Sequence, residues 1–389
     1  MSTPALHALH VGYHDLNPDI SLNFQLNRWL GYDAETLLAD MRDVAPRLTT
    51  YPAWIAAFFG LAERALADGR RLDAAYHTRC AEFFMPSTDP RRPGCRERFI
   101  GLMREGFGVT AAQTIQVPYA GVALPGYRFT APRPRDTIVL FGGFDSYIEE
   151  FIPTLLALRD AGFDVVAFEG PGQGSVIENL GVPMTPDWHL PVAAVLDHLQ
   201  LSNVTLLGIS LGGCLVVRAA AYEPRVARVV ALDILTDFLE CLLRQTPGPA
   251  RLLVRGLLRA GAGAVLDAAI AAAARRQPVV EWGMTQAMHV FGVKTPHAAL
   301  AAAAQYRTGD VSARLTQDVL LCAGAEDHYV PLHQLYDQAR WLTGARSVTA
   351  RVFTRADQAQ NHCQIGNLPL ALRTIGTWID LTLATSGHR

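Results

Sequence analysis

Leu206-Leu-Gly-Ile-Ser210-Leu-Gly-Gly213 is the stretch that decides the fold. It reads as the end of an apolar strand, a Gly-x-Ser-x-Gly pattern and the first residues of a helix. Gly208 and Gly212 let backbone segments pass closely at a sharp strand-to-helix turn, which lifts the Ser210 hydroxyl clear of the sheet. The sequence on either side predicts a buried strand at 204–207 and a helix at 214–221. We therefore interpret Ser210 as a nucleophile held on an elbow.

The composition describes a globular protein with no general attraction for polyanions. The chain has 389 residues, of which 50% are hydrophobic, and its formal net charge is -2. This length and apolar content allow one large domain with additions, or two domains. The near-neutral charge gives no attraction to nucleic acid or to an anionic membrane, so we expect neither as a partner.

Targeting signals and cofactor motifs are not evident in the sequence. The first ten residues lack a basic region followed by an apolar core, and the alanine-rich run at 260–274 is too short to span a membrane. We predict a cytoplasmic protein without a metal or another cofactor. The cysteines have no paired short spacing, which argues against a zinc site or a disulfide framework and predicts buried thiols. They are Cys80, Cys95, Cys214, Cys241, Cys322 and Cys363.

The N-terminal part of the chain, residues 1–112, is predicted to be helical. Apolar residues recur there at helical spacing, most clearly over 52–66. Gly31 and Gly69 stand where helices should end.

After Thr114 the pattern changes to alternating strands and helices. The helical sequence at 189–199 lies between two short apolar runs, and that at 369–383 follows the last of them. Short, continuous apolar runs are typical of the strands of a parallel sheet that is buried on both faces, and such sheets carry reactive groups at the carboxyl ends of their strands. We predict an α/β core over 113–235 and 317–389. Its predicted strands lie at 114–117, 122–129, 137–141, 163–168, 204–207, 228–232, 319–322 and 348–353.

The interval 236–316 has no strand pattern. It is helical, rich in alanine and leucine, and broken at Pro247, Gly261, Pro278 and Pro296. An insertion after the strand that follows the elbow would lie over the strand ends as a helical cap. Caps exclude water and shape the substrate pocket.

A base and an acid must activate the serine, because a serine hydroxyl alone is a poor nucleophile. On elbow folds they follow the serine in the order acid, then histidine. Asp327, in the turn that follows the apolar strand at 319–322, is the predicted acid, with Glu326 as the alternative. His362, in the loop after the last strand, is the predicted base. His328 is a local rival, but a histidine adjacent to the acid has difficulty reaching a serine on another strand end.

Two backbone amides should form the oxyanion hole. One is the amide of Leu211, which follows the nucleophile. The other comes from the loop Phe141-Gly-Gly-Phe-Asp-Ser-Tyr147, where the glycines let the backbone bend inward. We predict the amide of either Phe144 or Gly143 as the second donor.

Four segments together resemble the α/β-hydrolases that include 2,6-dihydroxypseudooxynicotine hydrolase and fungal heptaketide-shortening C–C bond hydrolases. The resemblance extends from about residue 117 to the C-terminus. It implies an α/β-hydrolase fold with a helical N-terminal region, a homodimer without cofactor, and hydrolysis of a carbon–carbon bond next to a ketone or of an ester. The segments are Gly142-Gly-Phe-Asp-Ser-Tyr-Ile-Glu-Glu150, Phe168-Glu-Gly-Pro-Gly-Gln-Gly174, Gly208-Ile-Ser-Leu-Gly-Gly213 and Asn361-His-Cys-Gln364.

Carbon–carbon cleavage also needs a proton donor for the released carbanion or enol. The resemblance implies an extra carboxylate near the cap hinge, for which Glu240 is the candidate and Asp237 the next. A surface helix carboxylate is the alternative interpretation of Glu240. The cap residues among the candidate pocket residues could equally form the core of the cap. The candidate pocket residues are Tyr147, Trp282, Met284, His289 and Phe291.

The sequence thus predicts a serine hydrolase acting on a ketone-containing aromatic or polyketide-like small molecule, by retro-Claisen cleavage or by ester hydrolysis. An acyltransferase or cyclase would use the same residues while excluding water. A ligand-binding protein on a disabled hydrolase scaffold is the alternative outside catalysis. The presence of all three candidate triad residues argues against it.

Overall fold

The computed structural model describes residues 8–244 and 246–386, so most of the segment considered for a signal peptide lies outside it. Its single sheet has eight strands, each at a predicted apolar run, as expected for the predicted α/β core. The strands are β1 (Thr114–Tyr119), β2 (Val122–Thr130), β3 (Thr137–Phe141), β4 (Asp164–Phe168), β5 (Val204–Ile209), β6 (Val226–Leu232), β7 (Asp318–Gly324) and β8 (Ser347–Phe353).

The sheet runs in the order β1-β2-β4-β3-β5-β6-β7-β8. β2 is antiparallel to both β1 and β4, and all pairs from β4 to β8 are parallel. Every residue of β4, β5 and β7 is buried, as continuous apolar runs predict. The carboxyl ends of β3, β5, β6 and β7 therefore lie side by side at one edge of the sheet.

Helices cover both faces of the sheet. Five precede it and five lie between β6 and β7, in the interval that lacks a strand pattern. Within the described residues the helices are α1 (Ile20–Arg28), α2 (Glu35–Val44), α3 (Tyr51–Ala67), α4 (Arg71–Phe83), α5 (Arg92–Gly106), α6 (Ile152–Asp160), α7 (Gly174–Leu180), α8 (His189–His198), α9 (Gly212–Ala220), α10 (Phe238–Leu242), α11 (Gly248–Arg259), α12 (Gly263–Ala274), α13 (Pro278–Val290), α14 (Pro296–Ala303), α15 (His333–Trp341) and α16 (Leu368–Ser386).

Two hydrophobic cores lie on opposite faces of the sheet, because side chains alternate along each strand. On β3, Ile138 belongs to one core and Val139 to the other. The first core packs the sheet against α1–α5 and α16. The second packs it against α8, α9 and parts of α10, α13 and α14. A smaller cluster of Leu239, Leu243, Leu266 and Leu300 packs α10, α12 and α14 together.

Buried ion pairs fasten the N-terminal helices to the loop after β3. Arg28 of α1 lies 2.9 Å from Glu150 and 3.1 Å from Asp145. Arg79 of α4 contacts the same Glu150 at 2.8 Å and also pairs with Glu82. The side chains of Arg79 and Glu82 are only 3% and 1% exposed. Loss of one partner would leave the remaining buried charges with one counter-charge fewer, so this attachment is sensitive to single substitutions.

The predictions for cysteines and for membrane spans can also be compared with the structure. All six cysteines are buried and unbonded to one another, as predicted. No helix in the described ranges has both the length and the apolar character that crossing a membrane requires.

Candidate active site

Ser210 stands at the turn between β5 and α9 in a left-handed backbone conformation. Its φ is 62°, which is uncommon for a residue other than glycine and is found at functional sites. The turn is tight: a Cβ on Gly208 would stand 2.0 Å from the carbonyl oxygen of Gly212, and one on Gly213 would stand 1.8 Å from that of Asp233. Only glycine at these positions lets α9 leave the strand so sharply and present the serine.

His362 joins Ser210 to Asp327. Its Nε2 lies 2.8 Å from Ser210 Oγ, and its Nδ1 lies 2.5 Å from Asp327 Oδ2. The other oxygen of Asp327, which follows β7, accepts hydrogen bonds from the amides of Tyr329 and Val330 at 2.7 and 3.0 Å. An imidazole between a hydroxyl and an oriented carboxylate can remove the hydroxyl proton and return it later in the reaction.

A second carboxylate, Asp233, lies beside this triad at the end of β6. Its Oδ2 accepts a hydrogen bond from the Cys363 amide at 3.0 Å and lies 3.6 Å from His362 Nδ1. Its Oδ1 accepts a hydrogen bond from Gln364 Nε2 at 3.0 Å. Asp233 was not among the predicted site residues. The signal that could have found it is an acid directly after a buried parallel strand, which is also the signal for Asp327.

The two carboxylates differ in their affinity for a proton. Burial, together with the charge of Asp327, raises the pKa of Asp233 to about 8. Burial also opposes ionisation of Asp327, but the charge and hydrogen bond of His362 hold its pKa below the usual value. Burial opposes protonation of His362, and Asp327 outweighs it, so the pKa of the imidazole is raised. Asp327 therefore carries the charge while Asp233 holds a proton near neutral pH.

The predicted oxyanion loop lies against the elbow. A Cβ on Gly143 would stand 2.7 Å from the Leu211 nitrogen and 2.9 Å from Ser210 Cβ. Gln173 fixes the loop, because its Nε2 donates to two of the loop's carbonyl oxygens at 2.7 and 3.1 Å. The Leu211 amide belongs to the first turn of α9, where amides lack an acceptor within the helix. The backbone of Gly143 thus lies directly against Ser210 and the Leu211 amide.

Ser210 and His362 line a cavity of about 220 Å³, here called the catalytic cavity. Its walls come from the N-terminal helices, the loop after β3, the cap and the loop after β7. Pockets with mainly apolar and aromatic walls and a few polar groups bind small organic molecules. The aromatic side chains of the wall include Phe24, Trp29, Phe144, Phe238 and Trp282.

One wall comes from α1, which the sequence did not link to the site. Phe24 and Arg28 line the catalytic cavity, and the charge of Arg28 is met by its ion pairs with Asp145 and Glu150. The sequence of α1 carries a signal, because its buried positions include three amide residues among the apolar ones. Amides buried on a helix need specific partners, which indicates a wall against other chain segments rather than a plain core helix.

Three of the five candidate pocket residues lie in or near the cavity walls. Trp282 lines the catalytic cavity, and its Nε1 donates to the carbonyl oxygen of Phe83 at 3.1 Å. Met284 lines a neighbouring cavity under the cap. Phe291 packs behind the wall, with its ring 6.0 Å from that of Phe144, which fits the interpretation as cap core.

The other two candidate pocket residues take part in polar contacts. The Tyr147 hydroxyl donates to Glu82 Oε1 at 2.9 Å. His289 Nε2 lies 3.2 Å from Glu178 Oε1. Tyr147 thus joins the loop after β3 to α4, and His289 joins the cap to α7.

Glu240, the candidate extra acid, lies on α10 with its carboxylate toward α15. Its Oε2 accepts a hydrogen bond from Gln334 Nε2 at 2.9 Å. The adjacent Cys241 lines the catalytic cavity instead. Asp237 caps the start of α10 by accepting a hydrogen bond from the Glu240 amide at 2.9 Å. The structure therefore brings neither carboxylate to Ser210.

The alternatives for the acid and the base are also placed elsewhere. Glu326 is paired with Arg355 at 2.5 Å on the surface. His328 lines the neighbouring cavity, where burial lowers its pKa to about 4. Asp327 and His362 are the candidates that come together with Ser210.

The side chains around His362 also have a spacing that would suit a metal ion. Among the described residues, they form the group of His, Cys, Asp and Glu with this spacing. Ligand atoms of Asp233, Asp327 and His362 lie within 4.8 Å of one another. Hydrogen bonds within the cluster and to the Cys363 amide already use these atoms. The arrangement can therefore serve proton transfer without a further group.

Comparison with known proteins agrees with this geometry. The model of the alpha/beta hydrolase fold family matches residues 136–362, a span that includes Ser210, Asp327 and His362. Two solved structures share the fold over most of the chain. A 2,6-dihydroxy-pseudo-oxynicotine hydrolase has a TM-score of 0.61 at 21% identity, covering 92% of this chain and 94% of its own. A structure named AbyA5 has a TM-score of 0.65 at 19% identity, covering 91% of each chain.

Curated relatives are fungal hydrolases. The alpha/beta hydrolase psoB of Aspergillus fumigatus is 33% identical over 49% of this chain and 50% of its own length. The hydrolase acrC of Aspergillus aculeatus is 28% identical over 72% of this chain and 74% of its own. The 20-hydroxy-prefusarin hydrolase FUS2 of Gibberella moniliformis is 26% identical over 83% of this chain and 84% of its own.

Proposed function

Because the chain belongs to the alpha/beta hydrolase fold family, we propose that it is a serine hydrolase that works through Ser210, His362, Asp327 and an acyl-enzyme. The observation that carries this proposal is the connected pair of short contacts at His362, 2.8 Å to Ser210 Oγ and 2.5 Å to Asp327 Oδ2. The serine also opens into a cavity rather than into packed core.

The chemistry follows from these contacts. His362 Nε2 takes the hydroxyl proton as Ser210 Oγ bonds to the substrate carbonyl carbon, and backbone amides at Leu211 and the loop after β3 stabilise the oxyanion. The tetrahedral intermediate collapses and expels the leaving group, which receives the proton from His362. Water, deprotonated by His362, then attacks the acyl-enzyme and releases the acid and free Ser210.

The substrate we propose is a ketone-containing aromatic or polyketide-like small molecule, cleaved at a carbon–carbon bond or at an ester. The mainly apolar, aromatic wall of the catalytic cavity supports such a substrate. The name of one relative, 20-hydroxy-prefusarin hydrolase, supports a small organic substrate as well. In carbon–carbon cleavage, the electron pair of the broken bond passes to an enolate, and the imidazolium of His362 protonates it.

Covalent labelling tests the nucleophile directly. A fluorophosphonate should modify one residue per chain, Ser210, and Ser210→Ala should lose both labelling and turnover while keeping its fold. A wild-type protein that is folded but never labelled would favour the ligand-binding alternative. Heavy-oxygen water separates hydrolysis from acyl transfer or cyclisation, since hydrolysis places one labelled oxygen in the released acid.

A β-diketone and a simple ester, compared in Glu240→Gln, test whether an accessory acid takes part. The carboxylate of Glu240 binds Gln334 rather than facing the serine, so we expect ester turnover to change by less than about twofold. A selective loss of diketone cleavage, by tenfold or more, would assign Glu240 the role of proton donor.

We also expect a homodimer from the resemblance. Light scattering of the purified protein measures its oligomeric state.

A further inference from the structure

A second cavity lies next to the catalytic cavity, under the cap. It has a volume of about 430 Å³ and is here called the cap cavity. Its walls are formed by α11, α12 and α13 on one side and by residues of α1, α3 and α4 on the other. At nearly twice the volume of the catalytic cavity, it is too large to be a packing defect, because interiors rarely leave such voids.

The two cavities share part of their walls. Cys241 and Leu242 of α10, Trp282 and Gly283 of α13, and Tyr329 after β7 line both of them. At Gly283 an added Cβ would meet no atom within 4 Å, so this position leaves open space at the boundary. The two cavities are therefore neighbours across a wall that these residues form.

The lining of the cap cavity specifies the chemistry of what fits there. It is mostly aliphatic and aromatic, including Phe84, Val254, Leu257, Leu266, Ile270 and Leu300, and Arg244 is the one charged residue among those described in its wall. Removal of apolar surface from water stabilises an apolar occupant, whereas a charged one would lose hydration without a matching partner.

Two buried polar atoms in the cap cavity wall make no hydrogen bond in the structure. They are Gln25 Oε1 and His328 Nε2. Gln25 is 3% exposed, and it uses its Nε2 to donate to Tyr329 at 3.4 Å. Buried polar atoms of this kind normally have partners. Gln25 Oε1 can accept a hydrogen bond from a hydroxyl of an occupant, and His328 Nε2 can donate to a hydroxyl or keto oxygen in the tautomer that carries its proton there.

We propose that the cap cavity holds an extended apolar chain of the substrate, bearing an occasional hydroxyl or keto group, while the reacting carbonyl lies at Ser210. This inference rests on the proposed function and narrows it to long-chain substrates. Small aromatic substrates would fill the catalytic cavity alone. In this arrangement the apolar chain of the substrate passes between Trp282 and Tyr329, and Gly283 provides the space for it.

Binding to Ser210→Ala protein tests the proposal without requiring turnover. Calorimetry with 2-pentanone and 2-undecanone compares two ketones that differ by six methylenes. Each fully buried methylene strengthens binding about fourfold, and we expect 2-undecanone to bind at least 30-fold more tightly. Gly283→Leu, made in the same protein, should reduce that ratio to less than about threefold, because its side chain occupies the passage.

Gly101→Leu is the matched control. Gly101 is also a helical glycine with no atom within 4 Å of an added Cβ, and it lies on α5, outside both cavity walls. It should keep the full ratio. Equal binding of the two ketones, or a ratio that Gly283→Leu leaves intact, would overturn the cap-cavity proposal. Fluorophosphonate labelling of wild-type Ser210 is scored separately, so a catalytic failure is distinguished from a failure of the chain site.

Discussion

Asp233 should be able to replace Asp327 as the partner of His362. The distances of the two carboxylates from His362 Nδ1 determine how much activity the replacement retains. Asp327 Oδ2 lies 2.5 Å from Nδ1 and Asp233 Oδ2 lies 3.6 Å from it. With an effective dielectric constant of about 20, the attraction between opposite unit charges is about 6.6 kcal/mol at the first distance and about 4.6 kcal/mol at the second. The difference, about 2 kcal/mol, corresponds to a factor of about 30 in rate.

Asp327→Ala should therefore lose about 30-fold in kcat/KM, whereas removal of the acid from a triad without a substitute costs on the order of 10⁴-fold. The charge of Asp327 is one cause of the raised pKa of Asp233, so the substitution lowers that pKa and favours the ionised form. In Asp327→Ala the rate should rise with pH as Asp233 loses its proton.

Hydrolysis of p-nitrophenyl butyrate between pH 6 and 9 measures these effects. The set of proteins is the wild type, Asp233→Asn, Asp327→Ala and the double variant, each checked for folding by circular dichroism. Asp233→Asn alone should lose less than about tenfold, and the double variant should lose about 10⁴-fold. The reasoning is refuted if Asp327→Ala falls as far as the double variant, because Asp233 would then contribute nothing.

Three further predictions concern the loop after β3, the pH dependence of stability and the N-terminal helices. Gly143→Ala places a Cβ 2.7 Å from the Leu211 nitrogen, so the backbone must shift, the melting temperature should fall, and kcat of the folded protein should fall by about 10²-fold or more; unchanged kcat would remove this loop from the oxyanion hole. Burial, together with the charge of Glu149, raises the pKa of Glu169 to about 8. The folded state then binds more protons than the unfolded state between about pH 4.5 and 8, so the free energy of unfolding should decrease as pH rises through this window. Glu169→Gln should flatten that decrease in urea titrations, and an unaltered slope would contradict the assignment. Arg79→Met removes one of two cations from each of the buried carboxylates Glu82 and Glu150, which keep Arg92 and Arg28 as partners. It should cost about 3 kcal/mol in unfolding free energy, the lower end of what breaking a buried pair costs; a loss below about 1 kcal/mol in urea denaturation would show that the pairs are not stabilising.

The strands and the elbow could be predicted from sequence because their signals are local. A buried parallel strand reads as a continuous apolar run, and Gly208 and Gly212 mark the turn around Ser210. Asp327 and His362 could be predicted to lie near Ser210 because chain order and position after a strand restrict the choice among many acids and histidines, and the structure places them in contact. The sequence therefore placed the three residues whose positions depend on the backbone path alone.

The parts that were not predicted depend on side-chain direction and on contacts between distant segments. Glu240 has a suitable position along the chain, but its carboxylate is taken by Gln334 on another helix. Tyr147 is the last residue of the loop after β3, and its hydroxyl is directed to Glu82 of α4. Asp233 directly follows a buried strand, which is a local signal, but the pattern of serine, acid and histidine requires only one acid, and Asp327 already filled that position. Pairings of this kind depend on rotamers and packing that a linear pattern does not record.

Because α1 forms part of the wall of the catalytic cavity, an attempt to transfer substrate specificity from one relative to another must include α1 as well as the cap. Phe24 and Arg28 face the same cavity as Phe238 and Trp282 of the cap, so selectivity is divided between two segments more than 200 residues apart along the chain. A chimera that exchanges only the cap between relatives would combine two half-sites with separate evolutionary histories. Substitutions in α1 and in α10 or α13 are therefore expected to co-vary across the family, and recombination libraries should exchange them as one unit.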